Sequence, residues 1–264
     1  MKMEIIVCVK CVPETAEADI RIGSSEKDID KTGLVFDINE WDEYAVEEAL
    51  RIKEKYGGSV TVITVGSENA DKVLRKCLAK GADQAIRITD AKLDGADAYV
   101  TASVLSRAIM KLPYNLILTG TQASDDGYAM VGPALAEFLG VPSVTLVKRI
   151  EFKEGLVRVN RELEGGLEEV VEVELPAVIS VQTGINEPRY VSIMGIRKAA
   201  QREIKVLSLA DLGLTDVEFG AAYSWITIEK MYVPPVMKQT EYISGSPAEI
   251  AEKIVGILKA RGLL

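Results

Sequence analysis

The sequence predicts an α/β protein of three layers, with helices on both faces of a mostly parallel sheet in a Rossmann-like layout. Two observations carry this. Up to about Gly140, short apolar runs alternate with helical patterns, and those runs are nearly continuously apolar rather than alternating, as expected of strands covered on both faces. Helix ends also carry the punctuation that such a layout needs. Asn39 stands where a helix cap belongs, ahead of Asp42 and Glu43. Gly81 and Gly140 follow the last apolar residues of their helices, and Pro113 stops another.

In order, "EIIVCVK" reads as the first strand and "WDEYAVEEALRIKEKY" as the first helix. "SVTVITVG", "NADKVLRKCLAKG", "QAIRIT", "DAYVTASVLSRAIMKL", "YNLILTG" and "VGPALAEFLG" continue the alternation. Between the first strand and first helix, "ADIRIGSSEKDIDKTGLVFDI" holds two alternating runs around a polar turn, a hairpin-like excursion. After Val141 only strands follow: "SVTLVKRIEF", "GLVRVNREL", "GLEEVVEVEL" and "AVISVQT", with "KEG" and "EGG" as turns. These are expected to extend the same sheet with antiparallel strands. Residues 1–206 are thus expected to form one α/β domain, and 207–264 an extended arm in which Pro234 and Pro235 break any helix. The arm ends in "SPAEIAEKIVGILKARGLL". There Ser246 and Glu249 match a capping box, Pro247 takes the first helical position, and Ile250, Ile254, Ile257 and Leu258 line one face. Such a helix covers either its own body or a partner subunit.

Composition narrows the function. Forty acidic against thirty-one basic residues argue against nucleic acid, which requires clustered cations. No segment has the roughly 20 uninterrupted apolar residues of a membrane span, and the N-terminal run does not have the form of a signal peptide. A cytoplasmic protein is the expectation. With no histidine, serine triads and most zinc or haem sites fall away. Cys8 and Cys11 form "CVKC", but no second pair exists to complete four metal ligands, so they read as a strand cysteine and a loop cysteine. Cys77 falls in an apolar helix stripe and belongs to the core.

The loop at 119–133, "TGTQASDDGYAMVGP", leaves a parallel strand and enters a helix, where ligands bind in open α/β sheets. Gly120, Gly127 and Gly132 let the backbone turn and approach a ligand, while Asp125 and Asp126 can cap the helix or accept from ribose hydroxyls. Carboxylates repel phosphate, so phosphate contacts are expected from backbone N–H groups after Asp126. The loop matches neither GxGxxG nor GxxxxGK[ST]. From the residues alone, a ligand-free capping loop and a nucleotide site both stand.

"NEWDEYAVEEALRIKEKYGG", "CLAKGADQAIRITD", the 119–133 loop, "LEGGLEEVVEVELPAVISVQTGINEPRY" and "MGIRKA" together resemble the β subunit of electron transfer flavoproteins. The resemblance runs in order from about Ile5 to Lys205 and returns in the C-terminal helix. It implies an adenine-nucleotide-hydrolase-like form of the fold, a heterodimer with an α subunit, an FAD shared with that subunit, and a second adenine nucleotide, AMP or FAD, held by this chain. Positions matching the family's nucleotide site are Cys8, Asn39, Glu40, Trp41, Val65, Gln122, Ala123, Asp125, Asp126, Gly127, Tyr128, Ala129, Met130, Val131, Gly132 and Pro133.

Trp41 and Thr15 match positions near the shared FAD, and Trp41 also reads as a helix-entry core residue in line with Ala45, Ala49 and Ile52. Ile185, Asn186, Glu187, Pro188 and Arg189 match the loop that docks a partner dehydrogenase. In that loop Ile185 would enter a pocket and Arg189 would meet a carboxylate; the alternative is an ordinary turn with Arg189 in a structural ion pair. Glu40 stands where the family often has proline, and Met130 where it often has glutamine. "VPET" and "VGP" resemble electron-bifurcating members. No side chain is expected to act as acid, base or nucleophile. The competing reading is a stand-alone ATP-binding protein or ATP-dependent enzyme, whose SGGxDS signature the chain lacks.

Overall fold

The computed structural model describes residues 2–15, 18–153, 155–214, 221–235 and 240–264. Glu154 of the "KEG" turn and two stretches of the arm, 215–220 and 236–239, lie outside the described residues. The elements follow the expected alternation. β1 (Met3–Cys8), β2 (Cys11–Pro13) and β3 (Phe36–Ile38) lead into α1 (Glu40–Tyr56), then β4 (Gly58–Val65), α2 (Asp71–Lys80), β5 (Gln84–Ile88), α3 (Ala98–Ile109), β6 (Leu116–Gly120) and α4 (Val131–Leu139). There follow β7 (Ser143–Lys153), β8 (Leu156–Glu162), β9 (Glu168–Glu174), β10 (Ala177–Val181), α5 (Ile193–Ala200), β11 (Lys205–Leu207) and α6 (Pro247–Ala260).

One sheet of nine strands runs β11-β5-β4-β1-β6-β10-β7-β8-β9. Its strands are parallel from β11 to β7, and β8 and β9 then add an antiparallel meander. One expectation is corrected: "AVISV" does not extend the sheet as an antiparallel strand. It returns as β10 between β6 and β7, parallel to both, and all five of its residues are buried. That burial explains its run of apolar residues, broken only by Ser180, since an interior strand is covered on both faces.

The two faces are covered by different helices. Met3, Ile5 and Val7 pack beneath α1 and α2, whereas Ile6 and Cys8 pack beneath α3 and α4. This period-two split of one strand's side chains makes the three layers. The excursion folds as expected: Ile22 bridges Ile29 antiparallel, and β2 pairs with β3 to close its base. Beyond β11, Leu209, Leu212 and Leu214 are buried in the cluster under α3. α6 has its capping box and Pro247 at the first turn, but none of its residues is buried. Among the described residues no helix is long and apolar enough to cross a membrane.

Candidate functional site

The chain order reverses at β1: α1 leads to β4 on one side, and β6 lies on the other. A crevice must open where neighbouring strands send their connections to opposite faces. Here it is a cleft of about 390 Å³ at the carboxyl ends of β1, β4, β5 and β6.

Two glycines let its walls close. A Cβ on Gly120 would collide with Asp42 Oδ1 and lie 2.6 Å from Trp41 Cβ, so only glycine lets α1 begin beside the end of β6. A Cβ on Gly132 would collide with Ser180 Oγ and stand 2.9 Å from Thr119 Oγ1, so glycine lets α4 begin against β6 and β10.

Asn39 caps nothing. Its side chain crosses to the 119–133 loop, donating to the Gln122 carbonyl at 2.8 Å and accepting from the Ser124 N–H at 3.1 Å. This replaces the expected helix-capping role, since both ends of the Asn39 amide are engaged by the loop's backbone. The adjacent Asp42 is buried and ties the two strand ends at the crevice: its carboxylate accepts the Lys10 N–H at 2.7 Å and the Gly120 N–H at 3.0 Å. Burial pushes its pKa up to about 7 against the pull of those donors. Burial likewise pushes the Cys8 thiol well above the ordinary range, so it remains an un-ionised apolar wall.

Lys10 Nζ sits 2.7 Å from both Asp125 and Asp126. Burial opposes its charge, but the two carboxylates outweigh burial and hold its pKa above the usual lysine value. The aspartate pair is thus neutralised in part by a lysine from another strand end, a partner that loop spacing alone does not disclose.

α4 opens onto the cleft with Met130 at its cap position, a side chain that supplies no cap hydrogen bond. The first-turn N–H groups of a helix have no partner within the helix. Val131 and Gly132 carry two of them into the cleft wall, and Pro133 has none to satisfy. Such a terminus favours an anion. Thr64, at the end of β4, also lines the cleft, and its buried hydroxyl has no hydrogen-bond partner among the described residues. Uncommitted donors and an unmatched hydroxyl fit a polar, anionic ligand such as a nucleotide.

Of the residues singled out in the sequence, Cys8, Asn39, Val65, Gln122, Ala123, Asp126, Tyr128, Ala129, Met130, Val131 and Gly132 line this cleft. Glu40, Trp41, Asp125, Gly127 and Pro133 lie beside it but are not in its lining. Trp41 is half-buried and donates from Nε1 to Gln182 Oε1 at 2.8 Å. Thr15 is exposed beyond β2.

The 185–189 loop is braced against α1. Ile185 is half-buried against the core. Asn186 donates to the Tyr44 carbonyl and to Glu48. Arg189 pairs with the buried Glu47 at 2.8 Å and with Glu54 at 2.6 Å, so its guanidinium is committed within the chain. Glu187 is exposed and Pro188 half-buried. The fully exposed aromatic of this region is the next residue, Tyr190, at 99%.

A sequence profile described as the electron transfer flavoprotein domain matches residues 28–212. The chain is 40% identical over 262 residues to the electron transfer flavoprotein subunit beta of Methylophilus methylotrophus, covering 97% of this chain and 98% of that one. To the same subunit of Thermoanaerobacterium thermosaccharolyticum it is 39% identical over 263 residues, covering 99% and 100%. To that of Bacillus subtilis it is 38% identical over 244 residues, covering 90% and 93%. The chain belongs to the electron transfer flavoprotein beta-subunit family. Its function class is therefore electron transfer.

In this beta-subunit chain, sequence reasoning passed over Lys10, Asp42, Thr64, Gly66, Thr89, Asp90, Asp97 and Thr101, all of which line the cleft. Most stand just past the end of a parallel strand or at the start of a helix. The strand-end rule that singled out the 119–133 loop would have reached them had it been applied to every strand.

Proposed function

We propose that this chain is the beta subunit of a heterodimeric electron carrier, and that its cleft holds an adenine nucleotide beside an FAD shared with an alpha subunit. The observation that carries the reading is the uncapped start of α4 facing a crevice at the strand-order reversal. Phosphate oxygens would be met by the backbone N–H groups of Val131 and Gly132, and ribose hydroxyls by Asp126. Cys8, Val65 and Ala123 would flank the base.

Bound flavin supplies redox chemistry that no side chain of this composition can. The chain's own part is to shape, exclude water and dock. Trp41, held by Gln182, and Thr15 stand where the resemblance puts residues near that flavin. Residues 185–190 form the surface offered to a dehydrogenase, with Ile185 half-exposed on a loop that Arg189 holds rigid.

A second FAD in the cleft is favoured over AMP by one feature: the lining continues past the 119–133 loop along Thr89, Asp90, Leu93 and Asp97 to the start of α3. An adenylate occupies one end of so long a cleft, whereas a dinucleotide spans it. Mass spectrometry of nucleotide released from the chain co-purified with its alpha subunit tests this. Two equivalents of FAD support the second-flavin form, and one FAD with one AMP supports the other. A complex without adenine nucleotide in this subunit overturns the reading.

A further inference from the structure

The arm does not hang free after the core. Ser224–Ile226 is fastened to the first turn of α3 through Asp97, a residue of the cleft wall. The Asp97 N–H donates to Ser224 Oγ at 2.9 Å, and Asp97 Oδ2 accepts the Trp225 N–H at 2.7 Å and the Ile226 N–H at 3.2 Å. Asp97 Oδ1 meanwhile caps α3 by accepting the Val100 N–H at 2.9 Å. One carboxylate therefore serves a helix start, a cleft wall and the arm.

Two further contacts extend the fastening. The Trp225 ring stacks on Tyr99 of α3 with centroids 4.9 Å apart, and Tyr99 in turn meets Phe138 of α4 at 5.2 Å. The aromatic row thus runs from the arm to the helix whose N-terminus opens onto the cleft. Five residues past Trp225, the arm is pinned again: the Met231 N–H donates to the Glu26 carbonyl at 2.6 Å, and Lys230 pairs with Glu26 at 3.1 Å. Glu26 lies at the tip of the excursion that leaves the same sheet edge after β1. The Trp225 side chain remains largely solvent-exposed despite this stacking, so these bonds carry much of the fastening.

We infer that the arm segment from Ser224 to Met231 is a strap coupled to the cleft, with Asp97 as the positioning residue that links the two. This rests on the reading of the cleft as an adenine-nucleotide site. A ligand that orders the α3 start fixes Asp97 in the geometry the strap needs, and a seated strap holds Asp97 ready for ligand. Such coupling is reciprocal, each event favouring the other by the same factor. The strap leads through the rest of the arm to α6, none of whose residues is buried against the described residues, so occupancy of the cleft would be felt where the arm is engaged.

Hydrogen exchange across residues 221–235 tests the coupling in the full chain purified with its partner subunit, stripped of nucleotide and then titrated with AMP or with FAD. Binding is measured in parallel by calorimetry. The Trp225 and Ile226 amides are expected to exchange at least about fivefold more slowly at saturation, the low end of typical coupling. Trp225→Ala, which alters no cleft-lining residue, is expected to raise the nucleotide Kd by a matching factor, while Trp225→Phe restores most of the affinity. Nucleotide that binds without slowing those amides, and a Trp225→Ala affinity equal to wild type, would overturn the strap and leave the cleft reading intact. No binding of either nucleotide to the wild-type complex would overturn the cleft reading, and the strap with it.

Discussion

Replacing Gly132 with alanine is expected to destabilise the protein and to empty the cleft, although alanine is the better helix former by about 1 kcal/mol. The new methyl would collide with Ser180 Oγ and press on Thr119 Oγ1. Those two buried hydroxyls are bonded to each other at 2.9 Å, so turning Ser180 aside strands both. Overpacking costs about 1–3 kcal/mol and an unmade buried hydrogen bond about 1–3. Against the helix gain, a net loss of roughly 1–5 kcal/mol follows, or else α4 shifts outward and carries the Val131 and Gly132 N–H groups away. Urea unfolding gives the stability, and chromatography of released nucleotide gives the occupancy. The double variant Gly132→Ala with Ser180→Ala separates the causes: with the Ser180 oxygen gone, the remaining Ser180 Cβ is 3.6 Å from the new methyl, an ordinary contact, and the press on Thr119 Oγ1 at 2.9 Å is what stays of the clash. The pair should then cost less than the sum of its parts. Gly127→Ala is the control, with open space around it but φ of +63°, and should cost about 1–2 kcal/mol through the backbone alone. A Gly132→Ala protein as stable as wild type, or strictly additive with Ser180→Ala, would refute the steric reasoning.

Three other outcomes are expected. The Asp42 pKa rises from 3.8 to about 7 on folding, so the unfolded chain ionises first and stability from this group is complete below pH 3.8 and lost as pH climbs to about 7. The wild-type unfolding free energy from urea titration, taken relative to Asp42→Asn, should therefore fall between pH 4 and 7, by at most on the order of 4 kcal/mol, and a flat difference would contradict it. Arg189→Ala leaves the buried Glu47 carboxylate with Arg51 and the backbone N–H of residue 189 but without the guanidinium, and should cost about 2–3 kcal/mol at neutral pH, discounted for the partial exposure of Arg189. Although burial opposes its charge, Glu47 is held below the ordinary glutamate value by Arg189, so the deficit should shrink on acidification in thermal melts. Ile185→Ala should slow electron transfer from a dehydrogenase at least severalfold in a coupled dye assay while the flavin remains bound. Equal loss of both would mark a folding defect instead.

The layers were legible because period and burial agree. "EIIVC" is apolar after its first residue and "VTVIT" is buried at every position, its two threonines included, since helices lie on both sides of them. The place of β10 was not legible, since "AVISV" reads identically whether a strand lies at the edge of the parallel set or inside it. Only pairing decides that, through contacts far apart in sequence. The site divides in the same way. The 119–133 loop announced itself by its glycines and its paired aspartates, which are local signals. Lys10 and Asp42 did not, because a lysine past a strand and an aspartate in a helix's first turn are ordinary where they stand. Their roles come from partners 115 and 78 residues away. Arg189 shows the converse: a family position suggested an outward partner, and α1 turned out to supply two inward ones.

The cleft's lining is acidic, with Asp42, Asp90, Asp94, Asp97 and Asp126 against Lys10, which at first conflicts with an anionic ligand. The hydrogen bonds resolve the conflict. Asp42 is taken by two backbone N–H groups, Asp90 by the Lys92 N–H, Asp97 by amides of α3 and the arm, and Asp126 by Lys10 and the Tyr128 N–H. Four of these carboxylates therefore act first as fasteners of strand-end loops, their charge offset by the chain's own donors, while the lone pairs left over on Asp126 can still accept from a ribose hydroxyl. What remains for an anion is the dipole and free N–H groups of α4, where no acidic side chain stands in the first turn. A site built in this way selects its ligand by backbone and shape rather than by a charged motif. Substituting its aspartates should accordingly move nucleotide affinity by displacing the loops they fasten, with losses that asparagine, which keeps an acceptor oxygen, largely spares and alanine does not.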